Sequence, residues 1–303
     1  MGVRGGIAGV AAALLLTLGP GAAAAPAQRW DIRASGPPLP VTRCNVAQPT
    51  TAPAVPTDRR PACPGAAAGL RAAPDDADPD CEPVNRLFGG EIRRIPTEEP
   101  LVALTFNAAW NEDGLAVVLA ELRRQHAPAT FFLTGEFADG HPAAVRAIAA
   151  EHGVANHSYD HPELADLTPD DLRAQVLDTD RAIRRAAGAV PLPFYRFPFS
   201  DTTPDAIAEV NALGYADIEF TQDTKGYLGL DGGMTVDKAV QRAVDALRPG
   251  MILQMHLGTG ADPGPNLDAQ ALPRIVEAIH ARGYRITDLR ALLDEPASGC
   301  SGA

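Results

Sequence analysis

From Leu101 to Thr287 the chain alternates short apolar runs with stretches of helical periodicity, and that alternation admits few folds. Apolar runs at Leu101–Phe106, Ala129–Thr134, Val154–Asn156, Phe194–Phe197, Ala216–Phe220, Met251–Met255 and Tyr284–Thr287 read as strands. Between them, residues 114–126, 141–152, 168–188, 203–214, 236–247 and 268–282 read as helices, the last bent or broken near Pro273. Thr168-Pro169-Asp170-Asp171 and Thr203-Pro204-Asp205 carry an N-cap, a first-turn proline and favourable acidic residues, and Gly214 marks a helix end. Repeated β/α units imply a parallel sheet covered by helices. The fold class is α/β: a deformed parallel β/α barrel of about seven strands, with an open doubly wound sheet as the alternative.

The segment ahead of this domain reads differently. Arg4, the apolar stretch Ile7 to Leu18 and the small residues Gly21 to Ala27 have the layout of a signal peptide over 1–27, cleaved after Ala25 or Ala27. The apolar stretch falls short of the roughly 20 residues that span a bilayer, so secretion is expected rather than membrane insertion. Residues 28–96 form a Pro/Ala-rich arm or linker without apolar periodicity, 97–295 the β/α domain and 296–303 a tail. Cys44, Cys63, Cys81 and Cys300 are an even set without zinc-ribbon or redox spacing, which points to disulfides in an oxidising compartment; three pairings are open. A formal charge of −12 argues against nucleic acid and anionic membranes as partners.

In α/β folds, chemistry collects at the carboxyl ends of the strands. Asn107 follows the first apolar run, His157 the third, Arg196 ends the fourth, Asp223 follows the fifth and His256 ends the sixth. His157 and His161, four residues apart, can offer two imidazole nitrogens to one metal ion, the usual start of a hydrolytic zinc site. Trp110, Phe199 and Tyr227 are candidate substrate-binding aromatics. His126, His141, His152 and His280 read as helix-end or helix-face residues, and Asp288 as the cap of a short helix starting at Leu289.

Taken together, the segment from Leu101 to about Leu293 resembles a polysaccharide deacetylase of the NodB-homology type. The resemblance is carried by Ala129 to Gly135, Asn156 to His161, Tyr195 to Phe199, Thr221 to Tyr227 and Leu253 to Leu257. It implies a metal-dependent deacetylase acting on N-acetyl or O-acetyl sugars of an acetylated polysaccharide or peptidoglycan-like polymer, and the chain is expected to be secreted and monomeric. It also implies one divalent metal ion, zinc first, with cobalt and nickel compatible. On this likeness His157 and His161 are metal ligands, His256 is the general acid, and Arg196 and Asp223 set the base and the acid.

One motif departs. Where the family carries two adjacent aspartates, a base and a third ligand, this chain has Asn107-Ala108. A methyl cannot bind metal and a neutral amide cannot act as a base. Asn111, Glu112 and Asp113 in the following loop, or Asp223 from across the barrel, are the candidate substitutes. The alternatives are a glycan-binding pseudoenzyme on the same barrel, or an amidase for a non-sugar N-acyl compound.

Overall fold

A computed structural model describes residues 84–258 and 265–293; the expected leader, most of the arm, all four cysteines and the tail lie outside them. Eight short strands make one parallel sheet: β1 (Leu101–Ala108), β2 (Thr130–Leu133), β3 (Gly153–Asn156), β4 (Phe194–Tyr195), β5 (Ala216–Asp217), β6 (Gln222–Asp223), β7 (Met251–His256) and β8 (Arg285–Thr287). Their order is β5-β4-β3-β2-β1-β7-β6, with β8 on the amino half of β1 and β2 on its carboxyl half. The sheet curls into a half-barrel, as expected. The expected strand Ala216–Phe220 divides, because Thr221 turns the chain from β4's side to β7, where Gln222 and Asp223 pair with Leu253 and Gln254.

The two-residue period of the strands sets what faces inward. On β1, Val102, Leu104 and Phe106 join the outer core beneath the helices, while Ala103 faces the barrel core with Phe132, Ala155, Phe194, Ala216, Ile218 and Ile252. Continuing each inner row toward the carboxyl end gives Thr105 and Asn107 after Ala103, His157 after Ala155, Arg196 after Phe194, and Gln254 and His256 after Ile252. The inner rows thus change from apolar to polar at one level. Register keeps them level, since Asn107 pairs with His256 and Thr105 with Gln254 across β1 and β7.

The other end of the barrel is closed by Val84, Leu87, Ile95, Leu289 and Leu292. Ile92 bridges to Ile218 and Arg94 to Met251, and Ile95 N–H donates to Gly250 O at 2.8 Å. The expected arm, 28–96, overlaps this floor: residues 84–96 pack into the domain because Leu87, Ile92 and Ile95 are apolar and cover its open end.

Among the described residues, seven α-helices cover the sheet: α1 (Leu115–Arg124), α2 (Gly135–Gly140), α3 (Pro142–Ala149), α4 (Pro169–Ala187), α5 (Pro204–Ala212), α6 (Val236–Asp245) and α7 (Leu267–Ala281). The Thr168 and Asp171 side chains of α4 form a reciprocal capping box. Helix α2, capped by Thr134, is not among the expected helices. Nor does α7 break at Pro273: Leu272, Ile275, Val276 and Ile279 are buried on either side of the proline and hold one helix together. It also begins earlier than expected, with Asn266 as cap, which places Asp268 in its first turn. Among the described residues, no helix is long and apolar enough to cross a membrane.

Candidate active site

His157 leaves the end of β3 fully buried. Its Nδ1–H donates to Arg196 O at 2.8 Å, which fixes the tautomer and leaves Nε2 buried without a partner. Burial, the neighbouring His161 and Arg196 hold the ring well below the usual histidine range. His161 stands edge-on to it, with ring centroids 4.9 Å apart, and its Nδ1 is likewise buried and unpartnered. Burial, with His256 acting the same way, pulls His161 down to about 4. Both imidazoles are therefore neutral at physiological pH.

Getting them there strains the backbone. His161 and Ser158 have φ of 60° and 66°, and Phe199, Ser200 and Lys225 on neighbouring loops also have positive φ. Such residues cost about 1–3 kcal/mol each, a load the core can carry when one buried Leu or Phe contributes about 1.5–3 kcal/mol. Strained residues collected at one end of a barrel mark the functional end.

Arg196 lies across the barrel core, its guanidinium 3.9 Å above the Phe132 ring. Nε donates to Ile218 O, Nη2 to Glu219 O, and Nη1 to both Thr105 Oγ1 (3.1 Å) and Asn107 Oδ1 (2.9 Å). Asn107 Nδ2 in turn donates to Gln254 Oε1 at 3.3 Å. Gln254 Nε2 lies 3.4 Å from His256 Nε2.

On the far side of that ring, His256 Nδ1 is 3.8 Å from Asp223 Oδ1 and 3.6 Å from Asp268 Oδ2. The expected Asp223 is thus in place, though it also accepts from Lys225 N at 2.7 Å. Asp268 is the residue that sequence reasoning missed. Almost wholly buried, it accepts from His256 N at 2.8 Å. Gly226 makes room for it, since a Cβ there would come within 2.3 Å of Asp268 Oδ1. The available signal was an acidic residue in the helix start after the His256 strand, at the same barrel end. Gln254 was legible too, two residues before His256 and so on the same face.

The expected aromatics ring this centre. The Trp110 and Phe199 rings lie 5.4 and 4.7 Å from His161, and Tyr227 lies 4.6 Å from His256. They are 60%, 61% and 49% exposed, well above the buried aromatics of the core, so packing does not account for them. The Trp110 loop is held from behind: His141 Nε2–H donates to Trp110 O at 3.1 Å and Thr134 Oγ1–H to Ala109 O at 2.5 Å.

As a metal site the arrangement is one donor short. Two neighbouring imidazoles each carry an unpartnered buried nitrogen, but a hydrolytic zinc site uses three protein ligands. Among the described residues no three His, Cys, Asp or Glu side chains are placed to hold an ion. Ala108 belongs to the outer core. Of the expected substitutes, Glu112 sits 3.8 Å from His141, Asn111 Oδ1 accepts from Asp113 N, and Asp223 lies 3.8 Å from His256.

The domain is similar to several known proteins. Residues 94–218 match the family model described as polysaccharide deacetylase. A chitooligosaccharide deacetylase of Sinorhizobium fredii is 32% identical over 209 residues, covering 65% of this chain and 95% of that one. A peptidoglycan-N-acetylglucosamine deacetylase of Bacillus cereus is 28% identical over 198 residues, covering 65% of this chain and 70% of that one. Among solved structures, a CE4 family pseudoenzyme from Bacillus anthracis superposes with a TM-score of 0.61 at 26% identity, covering 68% of this chain and 70% of that one. A mutant of that protein has restored enzymatic activity.

Proposed function

Because the chain belongs to the polysaccharide deacetylase family, whose members are carbohydrate deacetylases of the carbon–nitrogen hydrolase type, we propose that its groove binds an N-acetylated amino-sugar chain of the chitooligosaccharide or peptidoglycan kind without hydrolysing it at an enzymatic rate. One observation carries this reading: the position that should abstract a proton holds the Asn107 amide, and both ends of that amide are occupied, by Arg196 and Gln254. An amide has no proton-accepting role in general-base catalysis. The neighbouring methyl of Ala108 leaves the His157–His161 pair without a third ligand.

What remains suits recognition. Trp110, Phe199 and Tyr227 offer apolar faces to sugar rings. Export belongs to the same proposal, because such polymers are met outside the cell, and the leader-like sequence over 1–27 supports it.

A hydrolytic reading has its own support in the buried His157 and His161 imidazoles and in His256, which lies near two carboxylates. Calorimetric titration with N-acetylglucosamine oligomers, with and without chelator, separates the two. The expected outcome is one affinity under both conditions and weaker binding of fully deacetylated oligomers. Binding that disappears on chelation would overturn the metal-free reading.

A further inference from the structure

Arg196, Asn107, Gln254 and His256 form a chain of polar contacts whose direction is set at the Arg196 end. A guanidinium carries only donors, so Nη1 at 2.9 Å makes the facing atom the Asn107 amide oxygen. That turns Asn107 Nδ2 to Gln254 Oε1, which leaves Gln254 Nε2 pointing at His256 Nε2. An amide nitrogen only donates, so this ring nitrogen must accept and carries no proton. On the other side Nδ1 makes no hydrogen bond but lies 3.8 and 3.6 Å from the carboxylate oxygens of Asp223, from β6, and Asp268, from α7, with the Tyr227 ring alongside. The Gln254 contact selects the tautomer with Nδ1–H and a bare Nε2, and the nearby carboxylates favour the same one.

We propose that Gln254 is a positioning residue that transmits the chemical identity of residue 107 to His256, and that the Asn107 amide holds His256 as a hydrogen-bond acceptor. This deepens the glycan-binding reading and rests on it: returning a proton to a leaving group needs a donor at Nε2, whereas here that atom carries no proton and its one lone pair is taken by Gln254 Nε2–H. Replacing the Asn107 amide with a carboxylate reverses the chain. Both oxygens then accept, Gln254 turns over to donate toward position 107, and its oxygen faces His256 Nε2, which takes up a proton. Exchange of NH2 for O at one atom thus changes the ring from acceptor to donor through a residue that touches both.

The test is imidazole 15N NMR of histidine-labelled protein at neutral pH, with His256 assigned through His256→Gln. In the wild type, the expected Nε2 signal lies in the unprotonated range and Nδ1 in the protonated range. In Asn107→Asp, Nε2 should move to the protonated range, and adding Gln254→Leu should return it. Gln254→Glu places an acceptor beside Nε2 without touching position 107 and should give the same move, which keeps the test open if Asn107→Asp does not fold. A protonated Nε2 in the wild type, a bare Nε2 in folded Asn107→Asp or in folded Gln254→Glu, or an unreversed shift in the double variant would each overturn the relay. Oligosaccharide titration of the same wild-type sample keeps the two claims apart: absence of binding with the expected NMR pattern would sink the binding reading alone.

Discussion

Arg196 Nη1 lies 2.9 Å from Asn107 Oδ1, with both side chains shut off from solvent. A buried guanidinium ordinarily meets a carboxylate, and here it meets a neutral amide. Burial pulls Arg196 down to about 10, opposed by Glu219, Asp217 and Asp223.

Restoring both carboxylates should restore the centre. In Asn107→Asp, Ala108→Asp the second substitution buries a charge in the outer core, so without metal the melting temperature should fall. Added zinc should recover it, because ligand binding to the folded chain adds stability by mass action. The wild type should show no zinc-dependent shift of comparable size. Differential scanning calorimetry with elemental analysis checks this, and a double variant that neither binds zinc nor releases acetate would count against the assignment of these two positions.

The exposed aromatics should matter to binding and not to stability. Trp110→Ala and Tyr227→Ala should each weaken oligosaccharide affinity by roughly 1–2 kcal/mol, about fivefold to thirtyfold, with melting temperatures unchanged. Calorimetric titration reads the first and thermal unfolding the second. Unchanged affinity in both variants would move the binding surface away from this rim.

Gly226 lies against Asp268, and Gly226→Ala should displace it. Overpacking of this kind costs about 1–3 kcal/mol. The loss should be smaller when Asp268→Ala is added, because truncation empties the space. Additive losses in denaturant unfolding would show that the two residues do not meet.

Asp217 predicts a pH dependence of opposite sign to ordinary acid unfolding. Burial first, then Glu219 and Glu91, push its carboxyl from 3.8 up to about 8, and neither oxygen has a hydrogen-bond partner. The folded chain therefore keeps a proton that the unfolded chain has lost, and the resulting stability is present below the unfolded value and lost as pH rises through the folded one. Asp217→Asn removes that loss. Its melting temperature should exceed that of the wild type by a margin that grows between pH 3.8 and 8 and vanishes below. A margin independent of pH would contradict the raised value.

The period-two inner rows made much of this centre readable from sequence. Asn107, His157, Arg196 and His256 each end or follow an apolar run, and parallel register brings such ends to one level. The Thr168 cap of α4 was readable for the same local reason. Asp268 was not, because the start of α7 depends on Asn266 accepting from Ala269 N, while its Pro273 suggests a break that tertiary packing overrides. Gln254 stood in a recognisable motif without an obvious task; its task exists only through the atoms on either side of it. The division of the expected fifth strand also followed from pairing with β7, a long-range contact that local pattern does not carry.

The most direct measurement is acetate released from an N-acetylated chitooligosaccharide by the wild-type chain in zinc-containing buffer, beside His157→Ala, His161→Ala. The expected result is release at the level of the enzyme-free blank for both, with oligosaccharide binding intact in the wild type. Release by the wild type that the double variant lacks would contradict the account, and would mean that this centre hydrolyses without the carboxylates missing at Asn107 and Ala108.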